Sequence, residues 1–192
     1  MNIMRKLKNY KVAVIDIETT GLNPEIELIL EIGIVELDLV TGETKVLLDS
    51  LVKEPKFGEE HRKAWIYNNS DLKFEDFENA PLFDDLKQKL SELFNQYPMT
   101  AFNKAFDLDF FKAREINIPK ELPCIMQTAQ NILKIPYKYD SSKYKRPNVQ
   151  EAWDYFFPDS EYIEKHRATD DALHEAKILF ELCKRGQFHI YD

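Results

Sequence analysis

The sequence predicts an α/β fold in which a mixed central sheet of about five strands, one of them antiparallel, is flanked by helices. Three observations carry this expectation. The first fifty or so residues are strand-like, the apolar period becomes helical after Pro81, and strand and helix signals then alternate toward the end of the chain. Apolar runs at Tyr10 to Glu18, Leu28 to Leu37 and Lys45 to Val52 are separated by turn signals at Gly21-Leu22-Asn23-Pro24 and Thr41-Gly42-Glu43. The short Thr41-Gly42 connection suits antiparallel neighbours.

Beyond Pro81, Leu82, Leu86, Leu90, Leu93 and Phe94 recur at helical spacing, so a helix is expected over Asp84 to Asn95. Met99 to Phe102 reads as a short strand. Phe106, Phe110 and Ala113 share one face of a second helix that should stop before Pro119. Ile125 to Leu133, Val149 to Phe157 and Thr169 to Lys184 complete the helices, the last being the most strongly patterned. Glu54 to Asn79 has no legible period and is expected to be an irregular excursion with one short helix. Without a repeat, low-complexity stretch or linker-like segment, residues 1–192 read as one domain.

The chain has 34 Asp plus Glu against 26 Lys plus Arg, a net charge of −8. That balance weighs against a protein that coats nucleic acid by bulk charge, but not against an enzyme whose acids hold metal ions. Cys124 and Cys183 lack the spacing of a zinc site or a disulfide framework, so two reduced, buried thiols in a cytoplasmic protein are expected. Arg5, Lys6, Lys8 and Lys11 precede an apolar run that Asp16 and Glu18 interrupt. The run is too short to be exported or to span a bilayer, and no membrane association is expected.

Val12-Ala13-Val14-Ile15 is apolar at every position and reads as a central strand buried on both faces. At its end, Asp16 and Glu18 project from one face because strand side chains alternate. Two carboxylates there, followed by Thr19-Thr20-Gly21, could grip a hard divalent cation; a satisfied strand-end pair is the bland alternative. Asp-x-Glu recurs at Asp76-Phe77-Glu78 and Asp159-Ser160-Glu161, where solvated surface acids are the better reading.

At about 100° per residue, Asp170 aligns with His174, Lys177 and Glu181, whereas Asp171 aligns with Glu175, Ile178 and Leu182 at the edge of the apolar face. Asp171 should point inward, and Asp170 outward as a charge favourable to the helix start. His166 precedes that helix, and its neutral form could accept a proton from water; an exposed loop histidine is the alternative. His61, His174 and His189 have no matching context. Asn103-Lys104-Ala105-Phe106-Asp107 lies at a strand-to-helix junction, where Asp107 is either a first-turn charge or another carboxylate converging on the same crevice.

Together these segments resemble the DEDDh family of 3′-to-5′ exonucleases, which has the ribonuclease H-like fold. The motifs are Asp16-Ile17-Glu18-Thr19-Thr20-Gly21-Leu22, Asn103-Lys104-Ala105-Phe106-Asp107 and His166-Arg167-Ala168-Thr169-Asp170-Asp171-Ala172. The likeness runs from about Lys11 to Lys184 and includes Leu30-Glu31-Ile32-Gly33. The first motif is most similar to those of proofreading subunits and domains of bacterial replicative polymerases, whereas Arg146 to Trp153 matches no one branch.

The resemblance implies two divalent ions, Mg²⁺ with Mn²⁺ able to substitute. Asp16, Glu18 and Asp171 would hold one, Asp16 would bridge to the second, and Asp107 would support that second ion through water. His166 would take the proton from the attacking water. Phosphodiester hydrolysis at the 3′ end of a single strand, DNA favoured over RNA, would release nucleoside 5′-monophosphates. Thr19, Thr20, Gly21, Leu22 and Asn103 would bind the terminal nucleotide and Phe106 would add a stacking face, with ordinary core contacts as the alternative for Leu22 and Phe106. A polymerase is a candidate partner; oligomeric state is open.

Between Lys134 and Arg146, five basic residues face only Asp140, which marks either a track for upstream phosphates or a solvated loop. Two other classes compete. A haloacid-dehalogenase-type phosphatase would use Asp16 as a nucleophile, but needs Asp where Glu18 stands and gives Asn103 to Asp107 and His166 no role. A noncatalytic nuclease-like module binding nucleic acid or a polymerase would usually have lost a ligand or the histidine.

Overall fold

The computed structural model describes residues 10–190. Its strands are β1 (Lys11–Thr19), β2 (Ile29–Asp38), β3 (Thr44–Leu51) and β4 (Met99–Thr100), arranged β3-β2-β1-β4. β2 runs antiparallel to β1 and β3, while β4 is parallel to β1. The sheet therefore has four strands where about five were expected; an isolated parallel bridge between Met99 and Glu121 stands in the fifth position. The helices are α1 (Phe83–Gln96), α2 (Lys104–Lys112), α3 (Ile125–Leu133), α4 (Val149–Phe156) and α5 (Ala168–Lys184).

The strand-end alternation of β1 sorts its side chains onto two cores. Val12 and Val14, with Val35 and Leu37 of β2, pack against Ile125, Trp153 and Leu179 from α3, α4 and α5. Ala13, Ile15 and Ile17 face the other way, onto Leu90, Phe94, Leu108 and Phe111 from α1 and α2. Each large side chain fully buried in this way contributes about 1.5–3 kcal/mol. Asp16 and Glu18 share the parity of Val12 and Val14, so they lie on the α5 face of the sheet.

The excursion between β3 and α1 contains three 3₁₀ turns, Glu59–Lys63, Trp65–Asn68 and Phe74–Phe77, instead of one short helix. They close over a satellite core of Leu30, Ile66, Leu72 and Phe77. The basic window is not a bare loop. It folds into a two-stranded ribbon, β5 (Pro136–Tyr137) and β6 (Asp140–Tyr144). α4 starts from a reciprocal cap in which the Glu151 amide donates to Asn148 Oδ1 at 2.8 Å and the Asn148 amide donates to Glu151 Oε2 at 3.0 Å.

Cys124 and Cys183 are free and buried, as expected, and burial pushes the Cys183 thiol up to about 12. Among the described residues no helix is long and apolar enough to cross a membrane. Arg5, Lys6 and Lys8 lie outside the described residues.

One close approach sets where α5 begins. Gly33 of β2 pairs in register with Asp16, and a Cβ at Gly33 would fall 2.3 Å from the Ala168 carbonyl carbon and 2.5 Å from the Thr169 nitrogen. Only a residue without a side chain lets the first turn of α5 rest on the sheet there. Gly33→Ala should force that turn off the sheet and destabilise the protein by about 1–3 kcal/mol or more. Urea unfolding measures this; wild-type stability would refute the packing argument.

Candidate active site

Three elements deliver the acids. Asp16 and Glu18 come from the end of β1, Asp107 from the first turn of α2, and Asp171 and Glu175 from successive turns of α5. Asp171 is 3% exposed and Glu175 2%. The helical spacing that turned Asp171 inward carries Glu175 with it, while Asp170 stays at the rim, its Oδ1 3.3 Å from Lys165 Nζ.

Among the described residues, none of these five carboxylates has an ion-pair partner. Uncharged donors hold three of them instead. The Tyr162 hydroxyl donates to Asp171 Oδ1 at 2.7 Å and the Arg167 amide donates to Asp171 Oδ2 at 3.0 Å. The Phe102 amide donates to Glu175 Oε2 at 3.2 Å. Backbone amides of Asp107 and Ile17 lie on the Asp107 carboxylate.

Burial is the main cause that raises the affinity of all five for protons, and for all but Asp107 like charge adds to it. Glu18 is pushed up to about 9 by burial and then by Asp171, Glu31, Glu164 and Asp107. Burial alone drives Asp107 to about 8 against its backbone donors. Asp16 is raised strongly by burial and by Glu175, Asp107, Glu18 and Asp171; Glu175 by burial, Asp107 and Asp171. Asp171 rises less, because Tyr162 and the Arg167 amide favour its ionised form.

His166 lies over this group on the segment leading into α5. Its backbone is left-handed, at φ 53°, an unfavourable conformation for a side chain of this size. The neighbouring residue holds it there. Arg167 Nε and Nη2 donate to buried Glu31 on β2, with Nη2 2.7 Å from Oε1, while Nη1 reaches Asp71 at 2.7 Å. The Ala168 amide donates to the same Glu31 carboxylate at 3.0 Å. Trp65 meets the imidazole edge-on, ring centroids 5.0 Å apart, and Glu164 Oε1 lies 4.0 Å from His166 Nδ1.

The site opens on two adjoining clefts. One, of about 540 Å³, is lined by Asp16, Glu18, Asp171 and His166, by Thr19, Thr20, Gly21, Leu22 and Phe106, and by Trp65 and Glu164. Leu22 is 84% exposed, so core packing does not explain it. Phe106 is half-buried against Phe110 and still faces the cleft. The loop carrying Gly21 and Leu22 is tied down where the Thr20 hydroxyl donates to Glu27 Oε2 and accepts from the Leu28 amide. The second cleft has Asp16, Asp107 and Glu175 on one side and Lys145 and Arg146 on the other. Asn103 lines this second cleft, not the first.

Glu18, His166 and Asp171 each offer a ligand atom within 4.8 Å of the others. Hard carboxylate oxygens with no cation beside them match the donor set of a divalent ion such as Mg²⁺ or Mn²⁺. Four participants escaped the sequence reading: Glu175, Glu164, Tyr162 and Trp65. Glu175 carried a usable signal, its four-residue spacing from Asp171. The other three lie in segments without any period.

A four-stranded mixed sheet with acids at the end of its central strand and on two helices facing it is the architecture of ribonuclease H-like nuclease domains. The family model RNase_T, described as exonuclease, matches residues 13–179, and the chain belongs to that family. The 3'-5' exonuclease DinG of Staphylococcus haemolyticus is 27% identical over 177 residues, which cover 90% of this chain and 18% of that protein. The chain thus spans about a fifth of that relative's length. Among solved structures, the nuclease domain of 3'hExo, a DEDDh family member bound to rAMP, superposes with a TM-score of 0.69 at 16% identity, covering 96% of this chain and 97% of that one. E. coli exonuclease I in complex with a dT13 oligonucleotide gives 0.67 at 10% identity, over 92% and 41%. This chain shares their fold.

The acid cluster has a consequence for stability. Carboxyls raised in the folded state keep protons that the unfolded chain releases from about pH 4 upward, so their contribution is present below that pH and is lost as pH rises toward about 9. In EDTA, the melting temperature should fall between about pH 6 and pH 9 as these groups ionise together. A divalent cation bound only by the folded state should restore it, about 2.7 kcal/mol at a hundredfold excess over Kd, and more effectively at the higher pH. A melting temperature in EDTA that is flat or rises over this interval would rule out the uncompensated cluster.

Proposed function

We propose that this domain is a metal-dependent 3′-to-5′ exonuclease that removes nucleoside 5′-monophosphates from single-stranded nucleic acid, with DNA preferred. One observation carries the reading: five carboxylates without a cationic partner, four of them buried and Asp16 half-buried, open beside a histidine onto clefts large enough for a nucleotide. The family membership supports it; the two free, buried thiols go with a cytoplasmic setting.

Asp16, Glu18 and Asp171 would hold one divalent ion, and Asp16 with Asp107 a second; the ligand atoms of Glu18 and Asp171, within 4.8 Å of each other, support the first. Such ions lower the pKa of an attacking water and offset charge on the scissile phosphate. His166 would accept the proton that an attacking water gives up, its Nδ1 lying 4.0 Å from Glu164 Oε1. Leu22 and Phe106 pack on the terminal base and sugar while Thr19, Thr20 and Gly21 hold the 3′ end, so the reacting phosphorus meets the acids. Tyr162 and the Arg167 amide fix Asp171 for its role.

Purified protein with Mg²⁺ or Mn²⁺ should shorten a 5′-labelled single strand stepwise from its 3′ end, faster for DNA than for RNA. Intact DNA and RNA at high enzyme concentration would favour a noncatalytic binding module instead. His166→Ala should lower kcat by about 10²–10⁴-fold while the metal-dependent gain in melting temperature survives. Asp171→Asn should lose both activity and that gain; an active Asp171→Asn enzyme would remove this residue from the metal site.

A further inference from the structure

The ribbon formed by β5 and β6 lies in a basic stretch of an acidic chain, with five Lys or Arg residues and one Asp between positions 134 and 146. We propose that it is a binding arm for the nucleic-acid strand upstream of the scissile phosphate, stacking bases on Tyr137, Tyr139 and Tyr144 and meeting phosphates with Lys134, Lys138 and Arg146. The inference rests on the exonuclease reading above and adds to it a second contact region and a dependence on strand length.

Exposure is the first argument. Tyr137, Tyr139 and Tyr144 all face solvent, Tyr139 at 79%. A two-stranded ribbon has no core of its own and gains little from outward-facing rings, so folding gives no reason for three of them. Tyr137 and Tyr139 meet edge-on with centroids 5.7 Å apart, and Lys138 Nζ lies 5.6 Å from the Tyr139 ring centre. Aromatic rings interleaved with cations are what a single strand requires, since every base has a face to stack and every linkage a negative charge.

Placement is the second argument. The root of the ribbon, Lys145 and Arg146, lines the same cleft as Asp16, Asn103 and Asp107. Attachment there is firm. The Lys145 amide donates to the Ile135 carbonyl at 2.9 Å, and Gln130 Nε2 of α3 donates to the Tyr144 carbonyl at 2.7 Å. Lys143 and Lys145 are paired with Asp140 and Glu151, which leaves Lys134, Lys138 and Arg146 without a carboxylate partner among the described residues. A strand whose 3′ end lies on Leu22 and Phe106 meets the cationic side of the molecule where it leaves the acids.

The test compares the full chain with Tyr137→Ala/Tyr139→Ala, the matching Phe pair, and Lys134→Gln/Lys138→Gln, on a single strand of about 20 nucleotides and on a dinucleotide. The Ala pair should raise KM for the long strand roughly tenfold or more, leave kcat within about twofold, and leave dinucleotide hydrolysis unchanged. The Phe pair should restore the wild-type KM. The Gln pair should reduce the slope of log affinity against log salt by about 0.7 for each charge removed. Anisotropy of the labelled long strand in EDTA reads the arm without catalysis. Wild-type affinity in both the Ala and Gln pairs would overturn the arm even if the enzyme is active. Weakened binding in a chain that cleaves nothing would keep the arm and sink the exonuclease reading. Unchanged strand binding together with lost affinity for a polymerase would reassign the ribbon to a protein partner, against the proposal.

Discussion

Gathering five carboxylates side by side, four of them buried and Asp16 half-buried, is the constraint to which the rest of the structure answers. Each loses hydration and each repels the others, so the cluster persists only because the surrounding fold holds it in place. β1 supplies that rigidity, being buried on both faces before it delivers Asp16 and Glu18. α5 supplies the opposing pair, and it reaches the sheet because Gly33 leaves room for its first turn. The cost in stability is the same property that makes the pocket receptive to divalent cations.

A second tier of contacts acts on the groups above the acids. Glu31 receives Arg167 and the amide that begins α5, so one buried carboxylate on the sheet anchors both the helix start and the strained backbone of His166. Tyr162 stacks on His174, at 4.0 Å between ring centroids, while donating to Asp171. His174, whose sequence context suggested no role, is therefore part of the support for Asp171. Arg114 does the equivalent for the opposite wall. It donates to Glu54, to the carbonyls of Pro24 and Glu27 in the loop that presents Leu22, and to Phe110 of α2.

The net charge of −8 divides in space. Much of the negative charge that matters is concentrated where cations would neutralise it, and the ribbon at the edge of the second cleft carries the opposite sign. A weakly attractive surface with one acidic pocket and one cationic, aromatic arm suits a short-range grip on a strand end better than the coating of long nucleic acid.

Legibility followed physical periodicity. The β1 doublet and the Asp171 orientation could be read because alternation and the helical repeat tie side-chain direction to position, and all five principal helices lie within a few residues of expectation. Trp65, Tyr162 and Glu164 could not, since they stand in 3₁₀ turns and extended chain whose directions no repeat dictates. The ribbon was missed for a related reason: with both faces exposed it has no apolar alternation to reveal it. The sequence by itself determined that Asp16 and Glu18 share one face of their strand and that Asp171 turns inward from its helix. Only the tertiary structure decided that Asp16, Glu18, Asp107, Asp171 and Glu175 meet without a counter-charge, because distances between elements depend on packing, such as that of α5 onto Gly33, and not on any local pattern.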